Sequence, residues 1–186
     1  MGSSRTFSVY WLVFYLFLGG TSVSVNLPPV IPLQPPQRAM MRRIDLIVIH
    51  CTATRESQRL SEEELDKYHR SLGYDQCGYH FYVRRDGNVI AMRPTHKVGA
   101  HVRGYNPHSI GIAYEGGLDF LGNPKDTRTV NQRNSLQLLV SSLKEDFPFA
   151  KVLGHRDLSP DLDGNGRIDP HEWLKQCPCF DVRTEL

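Results

Sequence analysis

The chain has 186 residues, 40% hydrophobic and 23% charged, an ordinary globular composition long enough for one domain with a real core. Its 22 basic and 20 acidic side chains leave a net charge of +2, with no basic run interleaved with aromatics, which argues against a nucleic-acid binder. Four cysteines, Cys51, Cys77, Cys177 and Cys179, are too few for a disulfide framework at this size, and at least one is better explained as a ligand.

Residues 1–24 read as a secretory signal, with Arg5 ahead of an apolar run from Phe7 to Leu18 and small residues at Ser22 and Ser24. The run is shorter than the roughly 20 residues a spanning helix needs, so no stable membrane span is expected after cleavage. Residues 25–40 are proline-rich and predict a stiff linker. This arrangement places the protein outside the cytoplasm or in the cell envelope. A true start at Met40 or Met41 would remove both segments and leave a cytoplasmic protein. The folded domain is predicted over 41–186.

"IDLIVIH" (44–50) is a β-branched run that suits a buried strand, and the polar "CTATRES" after it reads as a loop at the strand's end. A helix follows, with a capping box from Ser61 to Glu64, Leu65, Tyr68 and Leu72 on one face, and a stop at Gly73. "YHFYVRRDGNVIAMR" predicts a hairpin turning at Asp86-Gly87 or Gly87-Asn88, and "SIGIAYEGG" a further strand. A second capping box, Thr129 to Gln132, opens a helix that places Leu136, Leu139, Val140, Leu143 and Phe147 in the core. "AKVLGH" (150–155) is the last strand, and "PHEWLKQ" predicts about two helical turns. The order defines an α/β fold: one domain with a central mixed β-sheet flanked by helices.

Two stretches carry metal chemistry. "DLDGNGRIDPHE" (161–172) has the spacing of a calcium-binding loop. Asp161, Asp163 and Asn165 offer oxygens, Gly166 turns the chain, the Arg167 carbonyl adds a donor, and Asp169 and Glu172 complete the set. The bland alternative is an acidic, glycine-rich turn that binds nothing. Separately, His50 and His155 each end a predicted strand and Cys177 lies beyond the acidic loop. Imidazole and thiolate together suit zinc, and three protein ligands leave a position open, the pattern of a catalytic site. No HExxH or CxxC ties these residues locally, so taken singly each histidine is a loop residue and Cys177 a small buried hydrophobe.

The blocks "IVIHCTAT", "CGYHFYVRRDG", "VGAHVRGYNPHSIGIAYEGG", "LGHRD" and "KQCPCFD", in that order, resemble the type-2 N-acetylmuramoyl-L-alanine amidases. That superfamily takes in the phage lysozyme-type amidases and the peptidoglycan recognition proteins. The resemblance runs from Arg43 to Val182. It implies zinc held by His50, His155 and Cys177 at the strand ends, Tyr79 and Lys175 as catalytic residues, and Glu115 as an auxiliary carboxylate. It also implies that His101 and Asn106 line a groove for peptidoglycan or muropeptides, and that the reaction is hydrolysis of the bond between N-acetylmuramic acid and L-alanine. Some members of the superfamily bind muropeptides without cutting them. On a start at Met40 or Met41, the resemblance points to a cytoplasmic phage-type endolysin. Residues 161–172 then fall between two zinc ligands, and Ca2+, or an internally hydrogen-bonded turn, is expected to stiffen that excursion.

Overall fold

Strand β1, Leu46–Cys51, is buried at every residue because strands flank it on both sides and side chains cover both its faces. The computed structural model describes residues 42–186; the predicted signal and linker lie outside the described residues. After β1 come β2 (Thr54–Arg55), helix α1 (Glu62–Ser71), β3 (Phe81–Val83), β4 (Val89–Ala91), β5 (Ser109–Tyr114) and β6 (Gly117–Leu118). Helix α2 (Val130–Asp146), β7 (Lys151–Gly154) and the short α3 (Val182–Glu185) complete the chain.

The main sheet has the order β4-β3-β5-β1-β7. β1 runs parallel to β5, with Leu46 opposite Ser109 and Cys51 opposite Tyr114, and parallel to β7, with Ile49 opposite Gly154. β3 is parallel to β5, and only β4 is antiparallel, so the sheet is mixed as predicted. The carboxyl ends of β1, β3, β5 and β7 therefore share one edge, which is where open α/β sheets place their ligands. β2 and β6 form a separate two-stranded ribbon just beyond that edge.

Both capping boxes form, at Ser61/Glu64 and Thr129/Gln132. Leu136, Val140 and Leu143 of α2 pack on Ile47, Ile49, Ile110, Ile112 and Tyr114, with Leu139 and Phe147 at the cluster's margin. On α1 only Leu65 and His69 turn inward; Tyr68 and Leu72, expected on the same face, stand in solvent because the helix touches the body along a narrow stripe. The hairpin connection is also longer than a two-residue turn. Val83 pairs with Val89, and residues 84–88 loop out around Gly87, whose φ is +91°. "PHEWLKQ" does not make two helical turns. It gives one 3-10 turn, Pro170–Glu172, because the Glu172 carboxylate accepts the Asp169 N–H and Trp173 leaves in extended backbone. Among the described residues no helix is long and apolar enough to cross a membrane.

Candidate metal centre at the sheet edge

His50 is the fifth residue of β1 and is 1% exposed, and His155 follows β7 directly in a 3-10 turn, His155–Leu158. Adjacent parallel strands thus deliver two imidazoles to one edge, with ring centroids 4.7 Å apart. Cys177 arrives from the C-terminal segment. Its carbonyl accepts the Arg156 N–H at 2.8 Å, and the next residue's carbonyl, Pro178, accepts the Tyr114 hydroxyl at 2.7 Å. Gly154 matters here, since a Cβ on it would stand 2.7 Å from Pro178 Cδ and push the cysteine segment away.

One donor atom from each of His50, His155 and Cys177 lies within 4.8 Å of the other two. Cys177 Sγ is 3.9 Å from His50 Nδ1 and accepts the Cys51 backbone N–H at 3.2 Å. A tetrahedral zinc with Zn–N of ~2.0 Å and Zn–S of ~2.3 Å needs its donors roughly 3.5 Å apart, so the residues present fit the ion. Burial pushes the His50 imidazole well below its ordinary pKa, helped by His101, His155 and Lys175. Burial, with the Lys175 charge added, pushes His155 down to about 4. Both rings are therefore neutral at pH 7, the form that ligates metal.

Tyr79 precedes β3, with its ring 5.1 Å from that of His50. Burial raises its phenol pKa well above the usual value and the Cys177 sulfur adds to this, so the hydroxyl stays protonated. Lys175 is exposed, yet close enough for its charge to act on both histidines.

Three other predicted site residues have defined partners of their own. The Glu115 carboxylate, 3% exposed, accepts the Leu60 N–H at 3.0 Å and the Arg85 N–H at 3.1 Å, so its two oxygens bind two loops together. Asn106 Oδ1 accepts the N–H groups of His101 and Val102 at 2.9 and 2.8 Å, which locks the loop that carries both residues. His101 faces inward, with Nδ1 3.1 Å from His50 Nε2. Sequence reasoning missed that contact; the available signal was Gly111, a glycine inside a central strand where an approaching side chain needs room.

The excursion from 161 to 172 closes on itself. Asp161 accepts the Gly164 and Gly166 N–H groups, and Asn165 Oδ1 accepts the Arg167 N–H. The Asn165 amide donates to Asp163 and Asp169, and buried Glu172 accepts from Leu162 and Asp169. The donors that converge are Asp163, His171 and Glu172, so His171, which the loop pattern does not include, joins two of the expected ligands.

Fold and cluster together define a single-domain α/β protein with three side chains on its sheet edge that could together hold a metal ion. The chain belongs to the N-acetylmuramoyl-L-alanine amidase family (Amidase_2), whose model matches residues 40–172. Lys175 and Cys177 lie beyond that match. The endolysin of Klebsiella phage KP32 is 36% identical over 137 residues, covering 74% of this chain and 82% of that one. Among solved structures, the amidase LysC from Clostridium intestinale URNW superimposes with a TM-score of 0.59 at 26% identity, covering 85% of this chain and 88% of that one. The complex of tracheal cytotoxin with the ectodomains of peptidoglycan recognition proteins LCa and LCx gives 0.54 at 28% identity, over 74% and 76%.

Proposed function

We propose that this protein is a zinc-dependent amidase that hydrolyses the bond between the lactyl group of N-acetylmuramic acid and the L-alanine of the peptidoglycan stem peptide. The observation that carries the reading is the convergence of His50, His155 and Cys177 at the sheet edge, flanked by Tyr79 and Lys175. When held by these three residues, zinc supplies a Lewis acid for attack of water on an amide carbonyl. The chain's own groups do the rest. The Tyr79 hydroxyl, kept protonated by burial, donates a hydrogen bond, and the Lys175 ammonium offsets negative charge as the carbonyl oxygen becomes tetrahedral. The Cys51 N–H fixes the Cys177 sulfur and the Arg156 N–H fixes its segment.

The test is mass spectrometry of soluble products after the zinc-loaded protein meets defined muropeptides, beside Cys177→Ser. Free stem peptide with an L-alanine amino terminus is expected from the parent and is lost, by at least two orders of magnitude in rate, in the variant. A second reading, recognition without cleavage, is supported by the likeness to recognition proteins in complex with tracheal cytotoxin. It predicts retention of intact muropeptide by parent and variant alike.

Two accessory features belong to the proposal. Ca2+ is the accessory ion of the 161–172 excursion, supported by the calcium-loop spacing of Asp161, Asp163, Asn165, Asp169 and Glu172, with the loop's own hydrogen bonds as the alternative. Residues 1–24 direct export to the envelope, where peptidoglycan lies; the amino-terminal sequence of the mature protein tests this against a start at Met40 or Met41.

A further inference from the structure

We infer that His101 is a positioning residue for His50, holding its ring in the one tautomer and orientation that presents Nδ1 to the metal; the inference rests on the zinc reading above. His50 has two ring nitrogens with different neighbours. Nδ1 faces Cys177 Sγ at 3.9 Å, and Nε2 lies 3.1 Å from His101 Nδ1. If Nδ1 gives its lone pair to the metal, the ring proton sits on Nε2 and must be donated. His101 Nδ1 is then the acceptor and carries no hydrogen. The His101 proton is on Nε2, which lies 3.3 Å from Ser109 Oγ. Only one arrangement of protons satisfies the whole chain, from Ser109 through His101 and His50 to the metal face. Most metal-bound histidines donate to a carboxylate, a backbone carbonyl or water. Here a neutral imidazole takes that place.

The surroundings of His101 support a built position. The ring stands nearly perpendicular to His50, at 85°, with centroids 5.1 Å apart, so the two nitrogens meet edge to edge. Its backbone N–H is held by Asn106 Oδ1. Two glycines clear its space. A Cβ on Gly111 would lie 2.6 Å from His101 Cγ and Cδ2, and a Cβ on Gly99 would lie 2.6 Å from Cδ2. Gly111 is an interior residue of β5, paired with Val48, where glycine weakens the strand relative to alanine. That cost is understandable if the space is needed for an imidazole beside the metal ligand.

The experiment measures zinc affinity and release by competition with a chromophoric chelator, and the visible spectrum of the cobalt(II)-loaded protein. His101→Ala is expected to bind zinc 10–100-fold more weakly and to alter the cobalt spectrum. His101→Asn, whose amide oxygen can stand near the Nδ1 position, restores most of both. Ser109→Ala loosens zinc several-fold and decides the matter if His101→Ala does not fold. A parent that binds one zinc while His101→Ala and Ser109→Ala bind it within twofold as tightly overturns the inference alone. A parent that binds no zinc overturns the zinc reading, and the inference with it.

Discussion

His80 shows how one buried imidazole sets the acid limit of the fold. It is fully buried, its Nδ1 accepts the Gly111 N–H at 3.0 Å, and Nε2 lies 3.1 Å from the Lys97 carbonyl. Burial pushes its pKa down to about 4, with the Arg42 and Arg93 charges adding to the shift and the Lys97 carbonyl opposing it. The unfolded chain takes up a proton below about pH 6.5, and the folded one resists it. The folded pKa is the lower of the two, so the contribution is intact above pH 6.5, shrinks as pH falls, and is fully lost near pH 4. Denaturant unfolding of chelated protein should lose about 3 kcal/mol on this account across that window. His80→Asn keeps an acceptor for Gly111 and should show a flatter profile. His50 and His155 tilt both profiles alike, and His101, whose ring lies 5.7 Å from that of His80 and feels its charge, changes together with it, so the difference reports the His80–His101 pair; identical slopes would remove the assignment. The same scale explains what the sequence could and could not disclose. His50, His155 and Cys177 were legible because each sits in its own recognisable block. The contacts of Glu115 and His101 were not, because Leu60, Arg85 and His50 are distant from them in the chain.

At the scale of elements, the join between α2 and the sheet depends on Gln132. Its Oε1 caps the Thr129 N–H at 3.0 Å, while its Nε2 donates to the Val83 and Glu115 carbonyls at 3.1 and 2.9 Å. Those carbonyls belong to the last residue of β3 and to the residue after β5. Gln132→Ala removes the cap's return bond and leaves two buried acceptors without their donor, so urea unfolding should show a loss of about 3 kcal/mol. Gln132→Glu is the sharper test. Glutamate is a preferred residue at this capping position, yet here its carboxylate would face two carbonyl oxygens; we expect it to cost at least as much as alanine. A glutamate variant as stable as the parent would show that the cap, and not the tie to the sheet, is what matters. The helices and main strands were readable because caps and apolar periodicity are local signals. The β2–β6 ribbon and the order of the strands were not, since pairing depends on contacts far apart in sequence. "PHEWLKQ" misled for the same reason: its helical pattern yields to Glu172, which reaches back to Leu162.

For the whole molecule, the arrangement predicts that metal acts as a local staple rather than as the fold's foundation. Phe180 and Val182 are buried against the core with Tyr114, so the C-terminal segment is anchored without help from an ion. The excursion between His155 and Cys177 is different. It stands outside that core with Leu162 and Leu174 70% and 76% exposed, held by Glu172 and by the Leu174 N–H to Ser159 Oγ. Zinc bound only by the folded state contributes about 4 kcal/mol when its concentration is a thousand times its Kd, and its removal should lower Tm accordingly. Hydrogen exchange places that loss. With a zinc chelator, amides of 155–158 and 175–179 should lose protection while those of β1 and β5 keep theirs, because the main cluster is built of Ile47, Ile49, Ile110, Ile112 and Tyr114 packed on α2 and Cys177 only borders it. A calcium-selective chelator should deprotect 161–172 and leave the ligand segments unchanged; no change there would show that the loop's own hydrogen bonds suffice. Should β1 and β5 open together with the ligand segments when zinc is removed, the sheet edge is held by the ion, and the neutral, pre-set imidazoles of the metal-free protein would not survive to receive it.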